Sequence, residues 1–236
     1  MISSSGRVAA PFAGEAPRRL AAAAGLAALV AIAVPARAAE PARTAADPCG
    51  RGLPGVVAGF RQIKSLRATF IEEKHIALLA RPLVTKGSIF YRAPADLIRR
   101  TDAPRPSAVW LHGARLRFRD DSGEKEMDLG RWGPAQSLVD SYLHVLGGDL
   151  DWLKAHYTID FQCREGAWRL ALVPREPAVS KLLKSITLAG RGDDLSRVEV
   201  VDASGDRTET SYNASDRSVD YGPADLEKLY RDTTRP

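Results

Sequence analysis

Catalytic signatures are what this 236-residue chain lacks. It has no Gly-x-Ser-x-Gly elbow, no His-Glu-x-x-His pair, no Walker loop and no Gly-x-Gly-x-x-Gly turn. Its four histidines, His75, His112, His144 and His156, fall in different segments. Neither of its two cysteines has a histidine at zinc-site spacing. Asp149-x-Asp151 reads as helix capping, because aspartate near a helix start accepts backbone N–H bonds and complements the dipole. Glu72 and Glu73 are neighbours on a strand pattern, so they point to opposite faces and cannot act on one substrate together. No catalytic residue, metal or cofactor is expected. The only long apolar run, Leu20 to Val34, is about 15 residues, short of the roughly 20 that span a bilayer as a helix.

That run is a leader. Arg18 and Arg19 precede it, and Ala36-Arg37-Ala38 places small residues where a secretory cleavage site needs them. Residues 1–38 are therefore expected to be a cleaved signal peptide, with an uncleaved anchor as the alternative. A twin-arginine reading gains little from the flanking Pro17 and Leu20-Ala21. The leader holds four Arg and one Glu, so its removal lowers the net charge from +5 to about +2. No basic block remains, and nucleic acid is not an expected partner. The mature protein is expected in the periplasm, as a monomer. An even count of two cysteines in an exported chain favours a disulfide between Cys49 and Cys163; two free thiols are the alternative.

Residues 39–49, rich in Ala, Pro and charge, read as a flexible lead-in, and residues 50–236 as one domain. Leu53, Val56, Val57, Phe60 and Ile63 recur at helical spacing. From Ser65 the period changes to two. Leu116 and Phe118 alternate with Arg115, Arg117 and Arg119. Tyr157, Ile159, Phe161 and Cys163 alternate with Thr158, Asp160 and Gln162, and Trp168, Leu170 and Leu172 repeat the pattern. Ile186 with Leu188, Val198 with Val200, and Thr208 to Asn213 continue it. Gly- or Asp-bearing turns separate these runs, which predicts an antiparallel meander. One segment departs. Ala135, Leu138, Val139, Tyr142, Leu143 and Leu146 share one face of a predicted helix stopped by Gly147-Gly148. Short helices are also expected at Leu150–Lys154, Val179–Lys184 and Ala224–Tyr230. The fold class is α+β, mainly β: one curved, incomplete antiparallel β-barrel of about ten or eleven strands, covered by helices.

Several segments carry a family resemblance. Ser65 to Phe70 looks like a first strand after an N-terminal helix. Gly87-Ser-Ile-Phe-Tyr-Arg-Ala-Pro94, followed by Asp96 to Thr101, looks like a Gly-started strand that ends at a proline. Trp110-Leu-His-Gly looks like the following hairpin, and Ala135 to Leu146 like a central lid helix. In this order they resemble the LolA-like lipoprotein carriers of the bacterial periplasm. The resemblance implies an incomplete β-barrel that shields acyl chains between an inner-membrane exporter and an outer-membrane receptor. It also implies that an arginine before the strand-ending proline latches the lid. Here that position is Ala93, and Arg92 stands one residue earlier, which makes Arg92 the latch candidate and widens the cargo to an acylated lipoprotein or another amphiphilic lipid.

The expected cavity and lid residues are Phe70, Ile89, Tyr91, Trp110, Phe118, Leu138, Tyr142, Leu143, Leu146, Ile159, Phe161 and Trp168. A site of this kind leaves surplus apolar surface and no motif. Two other functions compete: a lipid- or lipoprotein-sensing regulator of the same fold, and a secreted hydrolase with a dispersed active site.

Overall fold

The computed structural model describes residues 48–129, 144, 145 and 147–232. The chain opens with α1 (Pro48–Arg61), which is kinked at Gly52. Its start lies inside the stretch expected as a lead-in. Pro54 sits just after the kink, where a missing N–H costs no intrahelical bond. Val56, Val57 and Phe60 form its buried stripe.

Eleven strands follow: β1 (Ser65–His75), β2 (Leu83–Arg92), β3 (Asp96–Ala103), β4 (Ser107–His112), β5 (Arg115–Asp120), β6 (Gly123–Asp128), β7 (Tyr157–Arg164), β8 (Ala167–Pro174), β9 (Leu183–Arg191), β10 (Asp194–Asp202) and β11 (Arg207–Asp216). Three further short helices are bounded among the described residues: α2 (Leu150–His156) before β7, α3 (Pro177–Ser180) between β8 and β9, and α4 (Pro223–Arg231) after β11. The expected short helices are thus present at Leu150 and near Ala224. The one expected over Val179–Lys184 starts earlier and is cut short, because Leu183 already belongs to β9.

All strands join one antiparallel sheet in the order β6-β5-β4-β3-β2-β1-β11-β10-β9-β8-β7. Two meanders, β1–β6 and β7–β11, are knitted through the β1–β11 ladder at the centre, where Phe70 lies opposite Tyr212. The sheet does not close. Its free edges are β6 and β7, strands that follow one another in sequence. Leu129, just after β6, and Val145, ahead of α2, are buried in the same apolar cluster as Leu153 of α2.

Alternation assigns each strand an inner and an outer side. The inner side carries the main core: Leu66, Ala68, Phe70, Ile89, Tyr91, Leu97, Val109, Leu111 and Leu116 from the first meander, with Leu170, Leu172, Ile186, Leu188, Val198 and Val200 from the second. α1, α2 and α3 pack here. The outer side is covered by α4, whose Leu226 and Tyr230 pack on Phe90, Ile98 and Ala108. Covered on both faces, β2 is buried without interruption from Gly87 to Tyr91, and β3 from Asp96 to Arg99. Gly87 is required there: a Cβ would come within 1.9 Å of the Arg100 carbonyl oxygen and 3.0 Å of the Phe70 ring.

Cys49 and Cys163 form a disulfide that ties α1 to β7, across 114 residues of sequence. Phe60 meets the Trp168 ring edge-on, with centroids 6.1 Å apart, and extends the same junction into the core.

Candidate functional site

The inner face gathers seven of the expected cavity residues. Phe70, Ile89, Tyr91 and Trp168 are fully packed. Phe118 on β5, and Ile159 and Phe161 on β7, join the same cluster but remain partly exposed, as does Met127 on β6. These partly exposed strand residues lie toward the two ends of the strand order. Tyr91 stays a neutral phenol, its pKa pushed up to about 12 by burial. Leu138, Tyr142, Leu143 and Leu146 lie outside the described residues.

Two expected residues stand on the other face. Trp110 faces outward with Ile98 and packs against Tyr230 of α4, at a centroid distance of 5.7 Å. Its neighbours Val109 and Leu111 take the inner positions. Arg92 also faces outward, because Tyr91 before it points inward. Its guanidinium donates to Asp96 Oδ2 at 2.6 and 3.1 Å and to the Tyr221 carbonyl at 3.2 Å. Arg92 is thus committed to the outer side and to the segment leading into α4.

Asp96 is the centre of that outer network. It is 2% exposed and begins β3, after the Ala-Pro-Ala turn. Besides Arg92, it accepts from Trp110 Nε1 at 3.1 Å and contacts His112 Nδ1 at 2.6 Å. Burial pushes its carboxyl up, but the hydrogen bonds from Arg92, His112 and Trp110 outweigh this and hold its pKa below the ordinary value. A cleft of about 430 Å³ opens beside it, lined also by Arg115, Arg117, Glu124, Glu126 and Pro223. The Asp96–His112 pair has the form of the orienting half of a catalytic triad. Among the described residues that line the cleft, none is Ser, Thr or Cys.

A second buried carboxylate sits on the inner face. Glu72 Oε2 lies 3.0 Å from Arg99 Nη2, and both side chains are about nine-tenths buried. Thr85 and Thr210 hydroxyls donate to Glu72 at 3.3 and 3.2 Å. The Arg99 guanidinium lies over the Phe70 ring at 4.2 Å. Its Nη2 makes no well-aligned hydrogen bond despite being buried. Tyr212 is buried nearby, and its phenol is pushed well above its ordinary pKa by that burial. The sequence did hold a signal for this group: Arg99 occupies the inward parity of β3, between Leu97 and Thr101, where alternation calls for an apolar residue.

Among the described residues, no group of three or more His, Cys, Asp or Glu side chains could hold a metal ion. Among them, too, no helix is long and apolar enough to cross a membrane.

Comparison with known proteins adds a family. The family described as outer membrane lipoprotein carrier protein LolA-like matches residues 55–231. No curated protein matches the sequence. Among solved structures, the chain is similar to a LolA superfamily protein from Nitrosomonas europaea, at 12% identity and a TM-score of 0.40, covering 77% of this chain and 98% of that one. It is similar to a chain of the Pseudomonas aeruginosa MucA/MucB complex, at 14% identity and a TM-score of 0.45, covering 77% and 60%. A putative outer membrane lipoprotein-sorting protein domain from Vibrio parahaemolyticus matches at 9% identity and a TM-score of 0.41, covering 76% and 97%.

Proposed function

This chain belongs to the LolA-like outer membrane lipoprotein carrier family, and on that premise we propose that it is a periplasmic carrier for acyl chains. Its mature form is a single domain that follows a leader cleaved near Ala38. The cargo is a lipoprotein or another amphiphilic lipid, held against the inner face of the sheet and moved toward the outer membrane. An inner-membrane exporter supplies it and an outer-membrane receptor accepts it.

The observation that supports this reading is the partly uncovered apolar surface at the two free edges, Phe118 and Met127 on one and Ile159 and Phe161 on the other. Each CH₂ brought out of water contributes about 0.8 kcal/mol, so an acyl chain binds without polar recognition. No nucleophile or metal is needed for that task. The commitment of Arg92 to Asp96 favours the broader cargo class, because the guanidinium that would latch a lid in a standard carrier holds the outer network here.

Lipid extraction and native mass spectrometry of protein purified from the periplasm test the proposal. The expected result is a co-purifying lipid or lipopeptide in a one-to-one complex. Lipid-free protein that hydrolyses members of a broad ester and amide panel would overturn it.

A further inference from the structure

The large apolar side chains that are exposed among the described residues all lie at one end of the sheet. Five belong to the β1–β2 hairpin. Leu78, in its tip, is 94% exposed, and Leu79, Leu83 and Val84 are exposed beside it. The hairpin outruns its neighbour: β3 ends at Ala103, opposite Lys86, so Leu83 and Val84 have no strand beside them on that side. Ile71 is level with that last pair. The register then carries the same end across the molecule: Lys74 pairs with Leu83, His75 with Arg207, Val201 with Arg207, and Asp202 with Leu183. Exposed Leu182 precedes that last position, and exposed Val173 lies near the end of β8, on the same rim. The hairpin is anchored there by the Ala77 N–H, which donates to Asp206 of the β10–β11 turn at 3.2 Å.

The charges on this rim have one sign to spare. Lys74, Lys86 and Arg81 surround the hairpin, and Lys181 and Lys184 flank Leu182. None of these five forms an ion pair with a described residue. The nearby carboxylates are fewer. Asp206 accepts from Ala77, Asp202 accepts from the Asp206 N–H and the Ser204 hydroxyl, Glu73 lies beside His75, and Glu176 follows β8, so the five cations are in modest excess. Exposed leucines inside a collar of unpaired lysine and arginine suit a surface that is apolar beneath and anionic on top.

We propose that this rim, led by Leu78 and Leu79, docks the protein onto an anionic phospholipid bilayer surface. The leucines enter the acyl boundary, and Lys74, Arg81, Lys181 and Lys184 meet the lipid phosphates. The contact is peripheral and reversible, as befits a few side chains without a spanning segment. It is independent of whether the inner face carries cargo.

Vesicle flotation of the full chain tests it, using vesicles of phosphatidylglycerol with phosphatidylethanolamine against vesicles of phosphatidylcholine alone. All variants keep the same N-terminus, so differences between them report on the rim. Leu78→Asp combined with Leu79→Asp is expected to lower binding to the anionic vesicles about tenfold or more. Lys181→Glu combined with Lys184→Glu is expected to lower it about fivefold and to erase the preference over phosphatidylcholine. Because all four side chains are solvent-exposed, both variants should keep the fold. A Leu79→Trp chain should show more fluorescence quenching by lipids brominated on their acyl chains than the parent does. Equal binding by the parent and both variants would overturn the proposal. So would absence of excess quenching in Leu79→Trp, or loss in the leucine variant of a concentration-dependent dimer, which would make a second copy the occupant.

Discussion

The two faces of this sheet are covered by opposite means. On the outer face α4 is held by directed charge. Arg117 donates to Glu227 at 2.7 Å and lies over the Tyr230 ring at 4.5 Å. Arg100 and Arg119 donate to backbone carbonyls at the end of the helix, where the dipole is negative. Arg92 fixes the approach to it through Tyr221, and Asp96 fixes Arg92. On the inner face α1, α2 and α3, with Leu129 and Val145, rest mainly on aliphatic and aromatic contacts. These are joined by one covalent staple from Cys49 to Cys163, one exposed Arg51–Asp193 ion pair, and bonds from Arg61 to the Gly147 and Gly148 carbonyls. Directed bonds hold one geometry; apolar contact is non-directional and can be exchanged for another apolar partner. The outer cover is held in one geometry, and under the proposed function the inner face is the one that shares its surface with cargo.

Removing the staple should give the largest effect on this contrast. A disulfide closing a loop this long stabilises by about 4–5 kcal/mol in the chain-entropy description. Cys49→Ala with Cys163→Ala should therefore lower the denaturation midpoint sharply. Hydrogen exchange should place the added opening in α1 and β7 while α4 stays protected. Equal loss of protection in α4 would mean that the two covers are not independent.

Asp96→Ala comes next, at about 3 kcal/mol, because it leaves the Arg92 guanidinium and the Trp110 N–H without their buried acceptor. Here α4 should lose exchange protection first. The same network dictates an acid limit. The carboxyls of Asp96 and Glu227 are both held below their ordinary pKa, Glu227 chiefly by the Arg117 hydrogen bond. Groups shifted this way add stability that is fully present above the unfolded-state value, near pH 4, and is lost as pH falls through their lower folded values. Acidification below about pH 4 should release α4 before the inner core, as followed by exchange or by Trp110 fluorescence.

The inner ion pair should show the smallest net effect. Arg99→Leu alone strands the buried Glu72 carboxylate and should cost about 3 kcal/mol, whereas Arg99→Leu with Glu72→Leu should fall within about 1 kcal/mol of the parent. Chemical denaturation of the four-member cycle measures this. A double variant as unstable as the single one would show that the pair, although imperfectly hydrogen-bonded, is integral to the inner core.

Most of the architecture is legible in the sequence, because a sheet with one dry side writes its period directly. Leu116 with Phe118 and Ile159 with Phe161 took their inner places on alternation alone. The signal fails where both sides are dry. Ala108-Val-Trp-Leu111 is apolar throughout because α4 covers its outer side, so parity gives no clue to where Trp110 points. The same double burial hides the direction of Arg92. Asp96 reads as the first residue of a short strand, and only three-dimensional pairing brings Arg92, Trp110 and His112 around it. β6 escaped notice because Gly-Glu-Lys-Glu-Met-Asp, on an exposed edge, has almost no apolar pattern to display. Of the candidate site, the inner aromatics were legible as a set. The inward parity of Arg99 was legible too, but not its partner, since Glu72 and Arg99 join β1 and β3 across the intervening β2.

The β1–β11 ladder also sets how the molecule would yield to force. Those strands are antiparallel, with the start of β1 beside the end of β11, where Arg67 faces Asp216. The intact Cys49–Cys163 bond passes a load from Cys49 directly to β7 and leaves β1 unloaded. With that bond reduced and α1 and α4 peeled away, tension applied through the two ends of the chain would pull on neighbouring corners of one ladder. Its hydrogen bonds would then open one after another, as a zipper does, and not all together in shear. The seam would part down the middle and leave two separate meanders, each with its own free edge still intact.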